Sequence, residues 1–481
     1  MKKIFIFIFL ILIFSLASCN KKKNIETSSD TTNDTIISTE EITETKEEKD
    51  YNFYDEDKLN DGEIFKSVTS FALNDKTYNL KFGYNDSYFD KNMEYNQDIA
   101  MFSLGATISS GYTSELKEYY NNFGFDSYYV YGYDFNDIDS IAFLICKKDN
   151  IIALTIRGIS YGLEWANNFK IGPNSNHEGF SNAADIVYSK LEQYLNENKN
   201  SETKLLINGF SRAGAVANIL AYKIQSNANP IISSNNLFVY TFEAPRGLLK
   251  SNAIEYKNVY NIYNSLDLVP TVVPIEFDFY RCGIDIDIYN PDIEKIFLGY
   301  DKEIDYKKPT NYMYIKGGKY NTLNDSDKIA PFIFETLINT NLKPNDNNVS
   351  INSREAYYNN YESSIVYFIK FFGTMTNSLS NHIIKDIIKK INSDDFIPFV
   401  IDLLAVEDKL YNFLNPYFIE HNLKYDEEEL KINCNKIKNL YWVALPLLTD
   451  ILNNRETVAN LAKMHDPIPV YILLKYYNKN R

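Results

Sequence analysis

Residues 204–218, KLLINGFSRAGAVAN, constrain the fold of this chain more than any other segment. A short apolar run reaches Gly209, Ser211 follows, and small residues continue in a segment of helical character. A serine on a sharp turn needs glycine or alanine two positions away on either side, because strand and helix crowd together there. This order of strand, tight turn and helix is typical of a nucleophile elbow. Ala213 stands where the usual pattern has its second glycine, so an ordinary strand-to-helix turn is the alternative.

Residues 1–18 have the pattern of a lipoprotein signal peptide. Two lysines precede an apolar core at residues 4–14, which is too short for a transmembrane helix, and Leu-Ala-Ser-Cys ends at Cys19. This ending resembles a bacterial lipobox, so we expect a lipid on Cys19; a secretory signal cleaved nearby is the alternative. Either pattern predicts export, and the lipid would anchor the chain to a membrane of the bacterial cell envelope. Residues 19–50 are polar and are predicted to form a disordered tether.

Charge and cysteine content exclude several classes of protein. The formal net charge is −15 over 481 residues, which argues against nucleic acid as a partner. Cys146, Cys282 and Cys434 are odd in number and have no paired spacing, so neither a disulfide framework nor a zinc site is expected. Cys146 and Cys282 lie in apolar runs and are predicted to be buried, unreactive thiols.

The pattern of residues 51–481 predicts one hydrolase-like domain. Between residues 139 and 287, short β-rich runs alternate with helical ones, which predicts a parallel α/β sheet. A helix is expected over 181–195, with Ser181 as its N-cap. Residues 328–461 are helical and apolar, and we interpret them as an insertion or cap over the sheet, with a separate helical domain as the alternative. The predicted strands are 141–146, 151–156, 204–208, 237–242 and 259–263.

Serine hydrolysis needs a histidine to take the proton, a carboxylate to orient that histidine, and two amides for the oxyanion. Asp267 follows the predicted strand 259–263 and would lie at the same sheet edge as Ser211; a turn aspartate that caps the backbone is the alternative. The amide of Ile159 follows Arg157-Gly158 at the end of another predicted strand. Glycine lets the backbone turn there, so this amide and that of Arg212 are the candidate oxyanion donors.

Four histidines are candidates for the base. In α/β-hydrolases the order along the chain is serine, acid, histidine, and His177 precedes Ser211. His382 and His421 lie near predicted helix ends, where capping or a contact with the helix dipole is the simpler interpretation. His465 lies in a proline-bound loop after the helical block, where a returning base is expected, so His465 is favoured.

Six segments in this order resemble the class 3 (fungal-type) lipases and their bacterial relatives. That family has a strand ending in Arg-Gly-Thr/Ser, a following Trp, His-x-Gly-Phe, a Gly-His-Ser-Leu-Gly-Gly-Ala elbow, Gly-x-Pro-Arg and Asp-x-Val-Pro. The matching segments here are Arg157-Gly158-Ile159, Trp165, His177-Glu-Gly-Phe180, Gly209-Phe-Ser-Arg-Ala-Gly-Ala215, Tyr240-Thr-Phe-Glu-Ala-Pro-Arg246 and Asp267-Leu-Val-Pro270.

The resemblance implies an α/β-hydrolase sheet with a large helical insertion between the catalytic acid and the histidine. It implies Ser211 as nucleophile, Asp267 as acid, His465 as base, and the amides of Ile159 and Arg212 as oxyanion donors. The implied activity is hydrolysis of acyl esters of lipids, of the triacylglycerol lipase or phospholipase type, with no metal or organic cofactor.

Departures from the family pattern lie close to the predicted serine and in the oxyanion loop. Phe210 replaces the histidine beside the serine, Arg212 replaces an apolar residue, and Ile159 lacks the hydroxyl that often orients the oxyanion loop. A non-catalytic surface lipoprotein that uses the fold as a binding scaffold is therefore the alternative function. A peptidase or thioesterase on the same scaffold is also open, because fold does not determine function.

Overall fold

The computed structural model describes residues 59–70, 76–91, 93–134, 141–159, 163–267, 269–271, 273, 275–304, 306, 313–316, 319–322, 354–367, 370, 409–420, 425–438 and 463–479. The predicted signal peptide with Cys19, the predicted tether, His382, His421 and most of residues 328–461 lie outside the described residues.

The described chain alternates strands and helices through most of its length. In chain order the strands are Glu63–Thr69 (β1), Thr77–Gly83 (β2), Ser127–Tyr131 (β3), Phe143–Lys148 (β4), Ile151–Ile156 (β5), Lys204–Phe210 (β6), Leu237–Phe242 (β7), Leu248–Leu249 (β8), Val259–Tyr263 (β9), Phe279–Tyr280 (β10), Ile284–Asp287 (β11), Met313–Lys316 (β12) and Lys319–Thr322 (β13). The α-helices are Gln97–Ser109 (α1), Thr113–Asn121 (α2), Glu178–Asn198 (α3), Arg212–Ser226 (α4), Ile293–Tyr300 (α5), Arg354–Tyr357 (α6), Lys409–Glu420 (α7), Glu427–Lys438 (α8) and Pro467–Lys479 (α9).

A seven-stranded sheet in the order β11-β9-β7-β6-β5-β4-β3 forms the centre of the molecule. Strands β5, β6, β7, β9 and β11 are parallel to one another. The sheet is mixed, however, because β3 and β4 pair antiparallel, as do β4 and β5. The prediction of a parallel sheet therefore holds from β5 onward but fails at β4: a two-residue connection joins β4 to β5, and only antiparallel strands can be joined so tightly. With helices on both faces, the architecture is that of an α/β-hydrolase, as predicted.

Helices cover both faces of this sheet. Buried residues of α3 and α4 pack on one face, and buried residues of α1 and α9 pack on the other. The sheet is therefore apolar on both sides, which explains why β5 and β7 are buried along their whole length.

Two local predictions are corrected by the structure. Helix α3 begins at Glu178 rather than near Ser181, and its N-cap is His177, whose Nδ1 accepts from the amide of Phe180 at 3.3 Å. Ser181 already lies within the helix, because its amide donates to the carbonyl of His177 at 2.9 Å. The segment 279–285 resembles the next strand of the family pattern and so predicts one strand, but the structure divides it: β10 pairs with β8, and β11 joins the main sheet beside β9.

The N-terminal hairpin β1–β2 supports the last helix. The Tyr471 hydroxyl of α9 lies 3.1 Å from both the amide and the carbonyl of Lys81 in β2. The rings of Tyr471 and Phe82 meet edge to face, with centroids 5.4 Å apart. The side chain of Gln97, in the first turn of α1, donates to the carbonyl of Leu474 at 2.8 Å. These contacts fix the helix that follows His465.

Part of the segment between Asp267 and His465 packs on the same domain. The Glu362 carboxylate accepts from the amides of Ile171 and Gly172, each at 2.9 Å, and Arg354 donates to the carbonyl of Gly172 at 2.7 Å. These contacts hold α6 and the following turn against the loop that precedes α3. Whether residues 328–461 as a whole form a cap stays a prediction.

Two thiols are buried as expected. Cys146 and Cys282 are inaccessible to solvent, and burial raises the pKa of both thiols well above the ordinary range. Protonated thiols are poor nucleophiles. Among the described residues, no helix is both long and apolar enough to span a membrane.

Candidate active site

Ser211 lies on a strained turn between β6 and α4. Its backbone has a φ of 58° and a ψ of −129°, a left-handed conformation that is uncommon for a residue other than glycine. Its amide donates to the carbonyl of Phe242 at 2.8 Å, which fixes the turn against the neighbouring strand. The serine side chain is thereby held at the carboxyl end of the parallel strands, where ligands bind in open α/β sheets.

Small residues are required on both sides of this turn. A Cβ atom on Gly209 would lie 2.4 Å from the carbonyl oxygen of Ala213, and one on Gly214 would lie 2.8 Å from the Cβ of Ala244. Strand β6 and helix α4 therefore cross with no room for a side chain at these positions. Position 213, where the usual pattern has its second glycine, can be alanine, because it is at Gly209 that a Cβ atom would collide with the backbone.

Gly209→Ala is expected to destabilise the protein by about 1–3 kcal/mol, as overpacking of a close contact does. Gly83→Ala is the matched control, because a Cβ there would meet nothing closer than 3.5 Å. Urea denaturation should separate the two variants, with Gly83→Ala close to wild type. Equal midpoints for both variants would contradict the close crossing at Gly209.

Ser211, His465 and Asp267 form a continuous hydrogen-bonded series. The Nε2 of His465 lies 2.9 Å from the Oγ of Ser211, and its Nδ1 lies 2.5 Å from the Oδ2 of Asp267. Because a carboxylate only accepts, Nδ1 donates to Asp267 and Nε2 accepts from the serine hydroxyl. Asp267 is fully buried, whereas the His465 side chain is 22% exposed. An imidazole in this tautomer can take a proton from the serine.

The turn after β9 places the carboxylate of Asp267. The Asp267 amide donates to the carbonyl of Asn264 at 2.8 Å, and the Asn264 side chain accepts from the amide of Leu266 at 3.1 Å. The other carboxylate oxygen of Asp267 accepts from the amide of Val269 at 2.9 Å. Both of its oxygens are therefore occupied, and the side chain has little freedom to rotate.

His465 lies in the turn that leads into α9. Asp466 caps this helix by accepting from the amide of Ile468 at 2.8 Å. The Phe210 ring packs against the imidazole, with centroids 5.2 Å apart. Phe210, which replaces the histidine of the family pattern, is therefore a packing surface for the base.

The loop after β5 runs against the elbow. Ile156 and Gly209 are register partners in the parallel pair β5–β6, and a Cβ on Gly158 would lie 2.0 Å from the carbonyl oxygen of Phe210. Ile159 follows directly, and Arg212 is the first residue of α4, at the positive end of its dipole. The structure thus places both candidate oxyanion residues near Ser211, and their roles stay predictions.

A buried ion pair stiffens this loop. The guanidinium of Arg157 donates to the carboxylate of Glu164 at 3.0 Å and 3.2 Å, and both side chains are almost inaccessible. Both bonds come from the Nη2 of Arg157, and a hydrogen bond between two charged groups is stronger than one between neutral groups. It joins the loop before Ile159 to the 3₁₀ helix Leu163–Phe169.

His177 has a structural role and does not belong to the hydrogen-bonded series of Ser211, His465 and Asp267. Its ring stacks on Phe180, with centroids 3.8 Å apart, and it caps α3. Burial lowers the pKa of the imidazole to about 3. It is therefore neutral in the folded protein over the physiological range of pH.

The buried imidazole of His177 predicts a loss of stability in acid. With a folded pKa of about 3 against an ordinary value of 6.5, its contribution is complete above pH 6.5 and is lost as the pH falls toward 3. His177→Asn keeps a capping acceptor that cannot titrate. Relative to this variant, the free energy of unfolding of wild type should fall by up to about 1.4 kcal/mol for each pH unit below 6.5. A difference that does not change with pH in urea titrations would contradict this assignment.

Four described residues of the candidate site match three of the six family motifs: Gly158, Gly209, Ser211 and Asp267. The family model described as Lipase (class 3) matches residues 153–277. This match supports the class 3 lipase family over the segment that carries the serine and the acid, and His465 lies beyond it. No curated protein sequence matches the chain.

Solved structures of fungal lipases are similar to part of the chain. They include the native propeptide complex of Rhizomucor miehei lipase, 20% identical, with 40% of this chain and 68% of that chain covered and a TM-score of 0.33. Lipase II from Rhizopus niveus is 18% identical, with 38% and 78% covered and a TM-score of 0.30. A lipase from Rhizopus microsporus var. chinensis is 16% identical, with 39% and 73% covered and a TM-score of 0.30.

Proposed function

We propose that this protein is a serine ester hydrolase that cleaves acyl esters of lipids through an acyl-enzyme intermediate. The observation that carries the proposal is the hydrogen-bonded series from Ser211 through His465 to Asp267. The match to the class 3 lipase model supports lipase or esterase activity.

In the first half of the reaction, the Oγ of Ser211 attacks the ester carbonyl carbon while the Nε2 of His465 takes its proton. The carboxylate of Asp267 stabilises the imidazolium that forms. The negative charge on the carbonyl oxygen is stabilised by the amides of Ile159 and Arg212. Collapse of this intermediate breaks the bond to the alcohol, which leaves with the proton from Nε2.

In the second half, His465 takes a proton from water, and the resulting hydroxide attacks the acyl-enzyme. The acid is released, and the proton returns to the Oγ of Ser211. Every proton is carried by His465 and every charge is stabilised by this chain, so the reaction draws on no metal or organic cofactor. In the part of the chain that the structure describes, no group of three or more His, Cys, Asp and Glu side chains could hold a metal ion.

We further propose that the chain acts at a membrane of the bacterial cell envelope, held by a lipid on Cys19. The polar residues 19–50 would then separate the hydrolase from the bilayer surface. Palmitate labelling of cells that express the protein tests this, with Cys19→Ala as the matched control; equal labelling of both would contradict it.

The acyl-enzyme can be tested by partition of the acyl group. Purified protein would be given esters of one acid with different leaving alcohols, in the presence of methanol. A common intermediate predicts one ratio of methyl ester to free acid, whichever alcohol has left. Triacylglycerol emulsions and phospholipid vesicles would be compared as substrates. A ratio that follows the leaving alcohol would contradict the intermediate, and no hydrolysis of any ester would favour the binding-scaffold alternative.

A further inference from the structure

Glu243 is a buried carboxyl beside the candidate site that the reaction above does not use. It follows β7, as Ser211 follows β6, and Phe210 and Phe242 are register partners in these adjacent strands. Both residues leave their strands with left-handed backbones, with a φ of 58° at Ser211 and 46° at Glu243. Non-glycine residues in this conformation cluster at functional sites, where surrounding contacts hold them.

Hydrogen bonds of the backbone amide and of the side chain hold Glu243 in its conformation. Its amide donates to the carbonyl of Ile262 at 2.9 Å. Its Oε1 and Oε2 accept from the single amide of Asn264 at 2.9 Å and 3.2 Å. The side chain is inaccessible to solvent. Glu243 therefore joins the end of β7 to the turn that carries Asp267.

The turn that carries Asp267 also brings its carboxyl beside that of Glu243: the Asn264 amide donates to Glu243 at 2.9 Å, and the Asn264 carbonyl accepts from the amide of Asp267 at 2.8 Å. The two carboxyl groups interact, and two buried carboxyl groups can share a hydrogen bond only when one of them holds a proton. Asp267 accepts from separate donors on its two oxygens, Val269 and His465, and each of these bonds needs a lone pair on the oxygen that accepts it. The oxygens of Glu243 share one amide, so the proton belongs on Glu243.

The charges around Glu243 favour the same assignment. Burial first, and then the negative charge of Asp267, raise the pKa of the Glu243 carboxyl well above its ordinary value of 4.5, and Asp287 raises it further. Arg281 is the cation that faces this group; its guanidinium donates to the carbonyls of Ala244 and Pro270 at 2.9 Å and 3.2 Å and to the carboxylate of Asp285. His465 contacts Asp267 through its Nδ1.

We infer that Glu243 is a positioning residue for the proposed reaction: as a neutral carboxylic acid it donates to Asp267 and holds that carboxylate against the Nδ1 of His465. This inference rests on the proposed function. If Glu243 lost this proton, two negatively charged carboxylates would be buried side by side. Their repulsion would move Asp267 away from the Nδ1 of His465. Glu243 touches neither substrate nor the attacking oxygen, so it acts only through Asp267.

The first test is the rate at which a fluorophosphonate labels the purified protein. Glu243→Gly removes the carboxyl and suits the left-handed backbone, whereas Glu243→Gln keeps a donor for Asp267. The Gly variant should label roughly 10-fold to 100-fold more slowly, since it loses a hydrogen bond to a charged group. Its kcat for ester hydrolysis should fall alike with KM unchanged, and the Gln variant should recover most of the loss.

Asp149→Gly is the matched control for the change of backbone. Asp149 is an exposed aspartate with a φ of 49° in the turn between β4 and β5. It shares the left-handed conformation but lies at the opposite end of β5 from the candidate site, so its variant should label at the wild-type rate. A Glu243→Gly variant that also labels at the wild-type rate would overturn the inference.

The second test is independent of activity. A carboxyl with a raised pKa contributes stability that is complete below pH 4.5 and is lost as the pH rises through the raised pKa. Wild type should therefore lose stability relative to Glu243→Gln as the pH rises above 4.5. A difference that stays constant would overturn the assignment of the proton to Glu243. If folded wild type failed to label at all, the proposed function would fall, and this comparison would still decide the state of Glu243.

Discussion

Replacing Ser211 by alanine is expected to lower kcat/KM for ester hydrolysis by roughly 10⁴-fold to 10⁶-fold, as loss of the nucleophile does in other serine hydrolases. The Oγ that lies 2.9 Å from the Nε2 of His465 is the only atom removed. Stability should change little, because alanine fits the same turn. Steady-state hydrolysis of a p-nitrophenyl ester and a urea titration measure the two quantities.

Ser226→Ala is the matched control for this substitution. Ser226 is exposed at the last position of α4, the helix that begins directly after Ser211. Its variant should hydrolyse esters at the wild-type rate. Activity retained in Ser211→Ala would mean that another nucleophile carries the reaction.

Asp267→Asn is expected to lower kcat by roughly 10⁴-fold while the protein stays folded, because the amide reverses the tautomer of the histidine. The Oδ2 that now accepts from the Nδ1 of His465 at 2.5 Å would be replaced by a donor. The imidazole would then hold its proton on Nε2, where it could not accept from Ser211. Steady-state kinetics with a soluble ester measure the loss.

Asp301→Asn is the control of the same chemical type. Asp301 accepts from Lys76 at 2.6 Å and follows directly after the last residue of α5. Its variant should lose at most about 1 kcal/mol of stability, as expected for a surface ion pair, with no loss of kcat. A loss of less than tenfold in Asp267→Asn would contradict the orienting role of Asp267.

The sheet was predictable where buried strands are continuous apolar runs. The predicted ranges 151–156, 237–242 and 259–263 agree with the structure residue for residue. These strands are covered on both faces, so every position except Asn261 is apolar or β-branched, and turn residues mark both ends. The neighbouring positions of Ser211 and Asp267 followed from the same reasoning, because parallel strands end at one sheet edge.

The N-terminal elements could not be assigned from their pattern. Helix α1 is buried on nearly every side, from Ile99 to Ser109, so its sequence has no apolar stripe of helical period. Strand β1 is partly exposed along its length, and its alternation is correspondingly weak. These elements nevertheless hold α9, so the position of His465 depends on contacts that no local pattern contains.

The N-cap at His177 and the role proposed for Glu243 had weaker signals. Serine is the preferred N-cap, which favoured Ser181, but an imidazole nitrogen also accepts a hydrogen bond. At Glu243 the sequence has a carboxylate where the matching motif has glycine. Glycine at this position of the motif indicates a left-handed backbone. Only the contacts of Glu243 with Asn264 and Asp267 show what holds a larger residue in that conformation.

The most direct measurement is fluorophosphonate labelling of the folded, purified protein, with the modified residue located by mass spectrometry. We expect one label per chain, on Ser211. This label should be absent in Ser211→Ala and should form much more slowly in His465→Ala. Labelling that keeps the wild-type rate in His465→Ala would move the base to His382 or His421. If folded wild type took no label at all, the proposed hydrolase function would be contradicted, and a binding scaffold would be the better description.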